Sequence, residues 1–241
     1  MNLVLIPFFN ERNRFDFEIL NYEFPEDLRV ALLDDGSTDG LSAEIIEIVT
    51  RFGIDNIRVN RFDVNKGKSE VLRQGFLKAF NDTEINYQYI AFIDADFSTE
   101  LPELIRLISI ANEKDLDLVA GSRMKIVGRD IKTNYLRYLF GRFFAILIEL
   151  LFNLGMYDTQ CGAKVFKNSV YLQKAMEKPF INSWLFDIEI MLRLKENFKV
   201  KIWEEPLNKW HHKRHSKIRI LSLFSIFFGL IRLKLRLKPT N

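Results

Sequence analysis

The chain has 241 residues, of which 48% are hydrophobic and 28% charged, and a formal net charge of +3. It is long and apolar enough to bury a large core, which excludes an intrinsically disordered protein. Its single cysteine, Cys161, excludes an internal disulfide framework and fits a reducing compartment. The first residues carry no basic region and only a short apolar run, so we expect no signal peptide.

The first half of the chain alternates short apolar segments with segments of helical spacing. This pattern is typical of an α/β fold, in which helices flank a mostly parallel central sheet. We predict strands at residues 3–7, 30–34, 57–61, 89–94 and 117–120, and helices at residues 41–52, 68–80 and 102–112.

The second half of the chain is less regular. Residues 136–154 form a long apolar and aromatic segment, and two placements stay open for this helix, on the sheet or on a membrane. A further helix is predicted at residues 184–196 and a short strand at residues 200–203.

The end of the chain is strongly basic, since nine of the 35 Lys and Arg residues and no Asp or Glu follow Glu205. Between these bases lie twelve uncharged residues, 220–231, which nucleic-acid binding does not explain. Twelve residues are too few to span a bilayer, which takes about 20. Residues 218–241 are therefore predicted to be an amphipathic tail on an anionic membrane surface, with an ordinary core helix as the alternative.

The fourth predicted strand ends in two carboxylates, Asp94 and Asp96. Carboxylates so close together raise each other's pKa unless a cation lies between them. The pair therefore indicates a site for Mg²⁺ or Mn²⁺ with a phosphorylated ligand. A solvated turn at the end of the strand is the alternative for this motif alone.

Two other predicted strands also end in polar residues, the first in Asn10 and Glu11 and the second in Asp34 and Asp35. The carboxyl ends of parallel strands meet at one edge of a sheet, where ligands bind. Carboxylates accept hydrogen bonds from sugar hydroxyls and bind hard cations, which suits a nucleotide sugar with a metal-bridged diphosphate. No glycine-rich phosphate loop follows a strand, which argues against a P-loop NTPase or a dinucleotide enzyme.

Several motifs follow one another in a specific order: PxxNE at 7–11, DDGSTDG at 34–40, NKGKS at 65–69, DADFS at 94–98, GSR at 121–123, DTQCGAK at 158–164, WLFDIE at 184–189 and SK at 216–217. The first five motifs resemble those of family 2 glycosyltransferases, which have the GT-A fold. The later ones are similar to those of dolichyl-phosphate glucosyltransferases and dolichyl-phosphate mannose synthases. Family members often carry tyrosine at the position of Phe9 and glycine at that of His215.

The resemblance implies roles for individual residues. Asp94 and Asp96 would lie near the ribose, metal and diphosphate, and we expect Asp96 to be the direct metal ligand and Asp94 to serve the nucleotide. Arg123 and Lys217 would approach donor or acceptor phosphates. The residues that would hold the nucleoside are Pro7, Phe9, Glu11 and Asp35.

Four further residues are candidates from their positions. Lys68 either only starts a helix or neutralises a phosphate. Asp187 and Glu189, two apart on a helix, cannot share a face, and we expect Asp187 to point toward the site. Arg137, at the head of an apolar helix, and Arg214, in a basic loop, are candidates for binding an acceptor phosphate.

The predicted function is transfer of a hexose, glucose before mannose, from UDP-glucose or GDP-mannose to a polyprenyl phosphate, with Mg²⁺ or Mn²⁺, and the resemblance implies that the transfer is inverting. One alternative is transfer to a hydroxyl of a lipid-linked glycan, with Asp187 as base. The other is a non-catalytic nucleotide-sugar-binding subunit with a membrane protein partner. The predicted organisation is a catalytic domain at 1–217 and a membrane-associating tail at 218–241, peripheral at the cytoplasmic face of a membrane and without a full transmembrane span.

Overall fold

The structure, a computed structural model, describes residues 1–197, 199–211 and 220–236. Within these residues nine strands form a sheet of seven and a sheet of two. The strands are β1 (Asn2–Phe8), β2 (Leu28–Asp34), β3 (Ile57–Arg61), β4 (Tyr89–Phe92), β5 (Leu118–Ser122), β6 (Asp130–Lys132), β7 (Lys164–Lys167), β8 (Ile202–Pro206) and β9 (Lys209–His211).

The α-helices connect and cover these strands, and a 3₁₀ helix, Phe17–Asn21, follows β1. They are α1 (Leu41–Phe52), α2 (Lys68–Phe80), α3 (Leu101–Glu113), α4 (Tyr135–Phe152), α5 (Val170–Glu177), α6 (Phe186–Asn197) and α7 (Ile220–Arg236).

The large sheet has the strand order β3-β2-β1-β4-β7-β5-β8. The α/β class and the five strands predicted in the first half are confirmed, and β1 lies parallel to both β2 and β4. The exception is β7, which was not predicted and runs antiparallel to its neighbours β4 and β5. Because of this direction, the first residue of β7, Lys164, lies beside Phe92 at the edge where β4 ends.

Two hydrophobic clusters lie on the two faces of the large sheet, because successive side chains of a strand point to opposite faces. In β1, Leu3 and Leu5 belong to one cluster, and Val4 and Ile6 belong to the other. Helices α2, α4, α5, α6 and α7 contribute to the first cluster, and α1 and α3 to the second.

Several boundaries differ from the predicted ones. The apolar helix α4 begins at Tyr135, where the Asn134 side chain accepts a hydrogen bond from the Leu136 backbone N–H (2.9 Å). Helix α5, capped by Ser169, was not predicted. Strand β8 begins two residues later than predicted and continues to Pro206, as it pairs along the full length of β5.

The basic tail is helical over the described residues and packs on the body of the protein. Ile226, Leu230 and Leu233 of α7 are buried in the first cluster. A Cβ added to Gly229 would lie 3.0 Å from Leu185 Cδ1, so α7 approaches the segment before α6 closely. The predicted boundary between residues 217 and 218 lies outside the described residues.

The described part of the chain contains no helix long and apolar enough to cross a lipid bilayer. The longest, α4, has 18 residues and includes Arg137, Arg142 and Glu149.

Two helix glycines should respond oppositely to alanine substitution. A Cβ at Gly75 of α2 would lie 2.7 Å from Leu33 Cδ1 and 3.1 Å from Leu5 Cδ1, whereas one at Gly141 of α4 meets nothing within 4 Å. We expect Gly75→Ala to lower the free energy of unfolding by about 1–2 kcal/mol, because overpacking outweighs helix propensity. Gly141→Ala should raise it by up to about 1 kcal/mol. Urea unfolding measures the free energy of unfolding of each variant. Equal changes in the two variants would contradict the packing described for α2.

Candidate active site

Polar residues that follow β1, β2 and β4 meet at one edge of the large sheet. The registers pair Phe8 with Asp34 and Leu5 with Phe92, so the three parallel strands end near one another. This edge therefore carries Glu11, Asp35 and Asp94, as the sequence predicts.

The segments that follow β1 and β2 are linked to each other by hydrogen bonds. Asn10 adopts a left-handed φ of 52°, its backbone N–H donates to Ser37 Oγ (3.0 Å) and its side-chain oxygen accepts from the Thr38 N–H (2.9 Å). Pro7 is buried within β1, whereas the ring of Phe9 is 43% exposed. Phe9 thus presents an aromatic face at the sheet edge that a base could stack on.

Asp35 organises the loop that leads into α2. Its two carboxylate oxygens accept hydrogen bonds from the backbone N–H groups of Lys66 (2.6 Å) and Gly67 (2.8 Å). Gly36, with φ of 76°, lets the two loops approach, since a Cβ there would lie 2.9 Å from the Asn65 nitrogen. Asp35 therefore fixes the position of Lys68 at the start of α2.

Glu11 has one carboxylate oxygen that lacks a partner within the described residues. Its Oε1 accepts a hydrogen bond from Arg14 (2.5 Å), but its buried Oε2 has no hydrogen-bond donor there. Burial raises the pKa of Glu11, the charges of Asp96 and Asp39 raise it further, and Arg14 lowers it. A buried acceptor without a donor is costly, so this oxygen fits a ligand hydroxyl or a cation.

Asp94 is held from two sides. Lys68 Nζ donates to its Oδ1, and a Cβ added to Gly162 would overlap Oδ2 and lie 2.6 Å from Cγ. Burial disfavours the charge of Lys68, but Asp94 and Asp187 outweigh this and raise the pKa of Lys68. The carboxylate thus lies against the backbone of the segment before β7 and keeps Lys68 charged.

Asp96 lies in the turn that follows β4, and its Oδ1 accepts a hydrogen bond from the Ser98 backbone N–H (2.9 Å). Within the described residues, no group of three or more His, Cys, Asp and Glu side chains is placed to hold a metal ion. Mg²⁺ commonly binds through one or two carboxylates and completes its shell with water and substrate phosphates. Asp94 and Asp96, two residues apart, match that number of carboxylates, and water and substrate phosphates would have to supply the other ligands.

A buried lysine, for which the sequence predicts no role, lies at the same edge of the sheet. Lys164, fully buried, donates to Asp187 Oδ1 (2.7 Å) and to the Cys161 carbonyl oxygen (2.6 Å). Glu189 instead binds Arg193 and the Ile181 backbone N–H (2.8 Å). As the helical spacing indicated, the two acids of α6 point to different partners, and Asp187 is the one beside Lys68 and Lys164.

Arg123 is paired inside the protein. Its Nε and Nη2 donate to both oxygens of Asp158 (2.7 and 2.8 Å), and its guanidinium lies over the Trp210 ring. Burial opposes the charge of Arg123, but Asp158 outweighs it and raises the pKa of Arg123. The Asp158 backbone N–H in turn donates to Glu204 (2.6 Å). Arg123 therefore keeps its charge next to the site in a fixed orientation.

Cys161 is buried beside this ion pair, and it does not have the character of a nucleophile. Burial raises the pKa of its thiol to about 12, with Asp158 adding to the shift. Because the thiolate is the reactive form, the thiol is inert near neutral pH.

Three other predicted residues cannot be placed. Lys217 and Arg214 lie outside the described residues, and the side chain of Arg137, in α4, is also outside them. Their roles stay predictions.

Comparison with protein families and with individual sequences gives consistent matches. Residues 3–176 match the family model described as glycosyl transferase family 2. A dolichyl-phosphate beta-glucosyltransferase of Dictyostelium discoideum is 29% identical over 230 residues, which cover 89% of this chain and 68% of the relative. The enzyme of the same name from Homo sapiens is 28% identical over 231 residues, covering 89% of this chain and 68% of the relative.

Solved structures share the fold at low sequence identity. Glucosyl-3-phosphoglycerate synthase of Mycobacterium tuberculosis, in complex with Mn²⁺, UDP and glucosyl-3-phosphoglycerate, matches with a TM-score of 0.67 and 16% identity, covering 100% of this chain and 81% of that one. S. aureus TarS in complex with UDP-GlcNAc matches with a TM-score of 0.58 and 16% identity, covering 97% of this chain and 65% of that one.

The buried ion pair gives a test of what fixes the site. Lys164→Met leaves Asp187 buried without its cation, and we expect a loss of about 3–5 kcal/mol in the free energy of unfolding. The double variant Lys164→Met/Asp187→Leu should recover most of this loss, since it removes both charges. Urea unfolding of the full chain gives the free energy of unfolding for the wild type, for Lys164→Met and for the double variant.

The matched control lies on the same strand. Lys167 forms a more exposed pair with Asp115 (2.5 Å), so Lys167→Met should cost only about 0–1 kcal/mol. If Lys164→Met costs no more than Lys167→Met, the buried pair does not hold the site together.

Proposed function

The chain belongs to glycosyltransferase family 2, and on that premise we propose that it transfers glucose from UDP-glucose to a polyprenyl phosphate of the dolichyl type, with inversion at the anomeric carbon. The glucosyl group and the acceptor are supported by the names of the similar Dictyostelium and human enzymes. GDP-mannose is the second candidate donor.

The observation that carries this proposal is the set of acids at the ends of β1, β2 and β4. Glu11 offers an unpartnered buried oxygen, Phe9 a half-exposed ring, and Asp94 and Asp96 two carboxylates within three residues. A nucleotide sugar complements each of these groups. Its base can stack on Phe9, its hydroxyls can donate hydrogen bonds to Glu11, and its diphosphate attracts a cation that Asp94 and Asp96 can bind.

Asp96, with Asp94 beside it, would hold a divalent cation, Mg²⁺ or Mn²⁺, which supplies positive charge next to the leaving diphosphate. Lys68 balances the charge of Asp94 and orients its carboxylate. Arg123, fixed by Asp158, adds a positive charge that needs no reorganisation during the reaction.

The acceptor needs little help from a base. The second pKa of a phosphate monoester is about 6, so near neutral pH an acceptor oxygen is already mostly ionised when it attacks the anomeric carbon. Asp187 forms an ion pair with the buried Lys164, which suits it for positioning rather than for taking a proton. We therefore assign Asp187 a positioning role beside Lys68.

Arg137 and Arg214 are proposed to bind the acceptor phosphate, and Lys217 to approach the donor or acceptor phosphates. A prenyl chain stays in the bilayer, so the enzyme must work at a membrane surface, which we propose to be the cytoplasmic face. Residues 1–217 would carry the reaction, and the basic segment 218–241 would approach the lipid phosphates.

A donor and acceptor panel tests the function. The full chain, with Mn²⁺ or Mg²⁺ in detergent, should transfer the sugar from UDP-glucose to polyprenyl phosphate, and chelation of the metal should abolish transfer reversibly. The product should be a glycosyl phosphate, cleaved by mild acid. A product stable to mild acid would indicate a hydroxyl acceptor, and neither hydrolysis nor transfer with any donor would indicate a binding subunit.

Gly162→Ala tests the position of Asp94 without altering its chemistry. Gly162 does not have a left-handed φ, so the added Cβ acts through its overlap with the Asp94 carboxylate. We expect at least about a tenfold loss of kcat/KM with UDP-glucose, as displaced groups lose preorganisation. Gly141→Ala, which meets nothing within 4 Å, is the control and should leave transfer unchanged. Full activity of Gly162→Ala would show that transfer does not depend on the present position of the Asp94 carboxylate.

A further inference from the structure

Helix α4 has an apolar face that no other described residue covers. Seven of its large apolar or aromatic side chains are between 45% and 80% exposed. Their spacing of three and four residues places them along one side of the helix. They are Tyr135, Leu136, Leu139, Phe140, Phe143, Ile146 and Leu150.

This face, which we call the α4 stripe, is larger than isolated surface residues account for. Tyr135, Phe140 and Phe143 are each about 70% exposed. Aromatic side chains have about 150–250 Å² to bury, so these three alone expose on the order of 300–500 Å². Contiguous apolar patches above a few hundred Å² mark interaction sites in soluble domains.

The opposite side of α4 is attached to the protein, so the α4 stripe has a fixed orientation. Ala145 and Ile148 are buried, and the Phe144 ring meets the Trp184 ring edge-on at 5.2 Å. Arg142 Nη1 donates to the Tyr157 carbonyl oxygen (2.7 Å).

That attachment leads directly to the candidate active site. Tyr157 precedes Asp158, the partner of Arg123, and its hydroxyl lies 3.3 Å from the Tyr138 hydroxyl of α4. A surface bound to the α4 stripe would therefore be held at a fixed distance from the phosphate-binding side of the site.

Positive charge lies near both ends of the α4 stripe. At the first end, exposed Lys125 lies over the Tyr138 ring (5.0 Å). At the other end, Lys234 of α7 donates to the Leu151 carbonyl oxygen, and Arg232 and Arg236 of the same helix are exposed. The only acid of α4, Glu149, accepts a hydrogen bond from the Gly155 N–H (2.8 Å).

We propose that the α4 stripe docks on the surface of an anionic lipid leaflet, with its aromatic residues at the headgroup level and the flanking bases on lipid phosphates. The inference rests on the proposed function, because a lipid acceptor requires the active site to stand at the membrane. A second copy of the chain fits less well, since pairing two stripes in either direction brings bases against bases.

Vesicle flotation of the full chain tests the docking without donor or acceptor. The wild-type chain should float with phosphatidylcholine vesicles that contain phosphatidylglycerol and much less with phosphatidylcholine alone. Phe143→Glu should lower binding by at least about tenfold, because it places a charge in the apolar contact. Phe52→Glu on α1 is the matched control, since Phe52 and Phe143 are both 69% exposed, and it should float like the wild type.

Transfer to a short, water-soluble prenyl phosphate without vesicles reports the proposed function separately, and Phe143→Glu should retain it. Flotation of Phe143→Glu at the wild-type level, or no flotation of the wild type, would overturn the docking proposal whatever the transfer assay shows. A wild-type dimer that Phe143→Glu dissociates would also overturn it and make the α4 stripe an interface between copies.

Discussion

The buried ammonium of Lys164 is the interaction on which the arrangement of the site depends. It joins Asp187 at the start of α6 to the Cys161 carbonyl in the segment before β7, without access to water. The charged groups next to Lys164 alternate in sign. The negative charge of Asp187 raises the pKa of Lys68, and Lys68 forms an ion pair with Asp94. Because a buried charge without an opposite neighbour is strongly unfavourable, Lys164 and Asp187 hold each other in place, and the more exposed pair of Lys68 and Asp94 lies next to them. Asp94 and Asp187 are therefore linked through Lys68 rather than independent of each other.

The acids of the site fall into two groups. Asp35 and Asp158 already have internal hydrogen-bond partners, which are the N–H groups of Lys66 and Gly67 for Asp35 and the guanidinium of Arg123 for Asp158. Glu11 keeps a buried oxygen without a donor in the described part of the chain. We expect the first group to position loops and cations before any ligand arrives, and that oxygen of Glu11 to accept a hydrogen bond from the ligand or to bind a cation. Enzymes that stabilise developing charge require this division, since groups fixed beforehand need no rearrangement in the transition state.

Much of the first half could be predicted from the sequence, because its strands are apolar runs that end in acids, and local periodicity reports such elements directly. Strand β7 could not, since its four residues include two lysines and its antiparallel direction depends on neighbours far along the chain. The burial of Lys164 could not be predicted, because lysines usually lie on the surface. Its pairing with Asp187 could not be predicted either, because the two residues lie on different elements far apart in the sequence. The pairing of Asp35 with the N–H groups of Lys66 and Gly67 is equally invisible, because backbone donors leave no trace in side-chain patterns.

The insertion of β7 between β4 and β5 has a consequence for synthesis on the ribosome. Strand β4 pairs on one side with β1, but its other side stays an open edge until residues 164–167 emerge, since Ala91 lies opposite Val165. An unpaired strand edge is a template for association with other chains. Folding of the sheet must therefore wait for distant sequence, and pairings of this separation form slowly. A nascent chain stalled before β7 would be the form of this protein most in need of a chaperone.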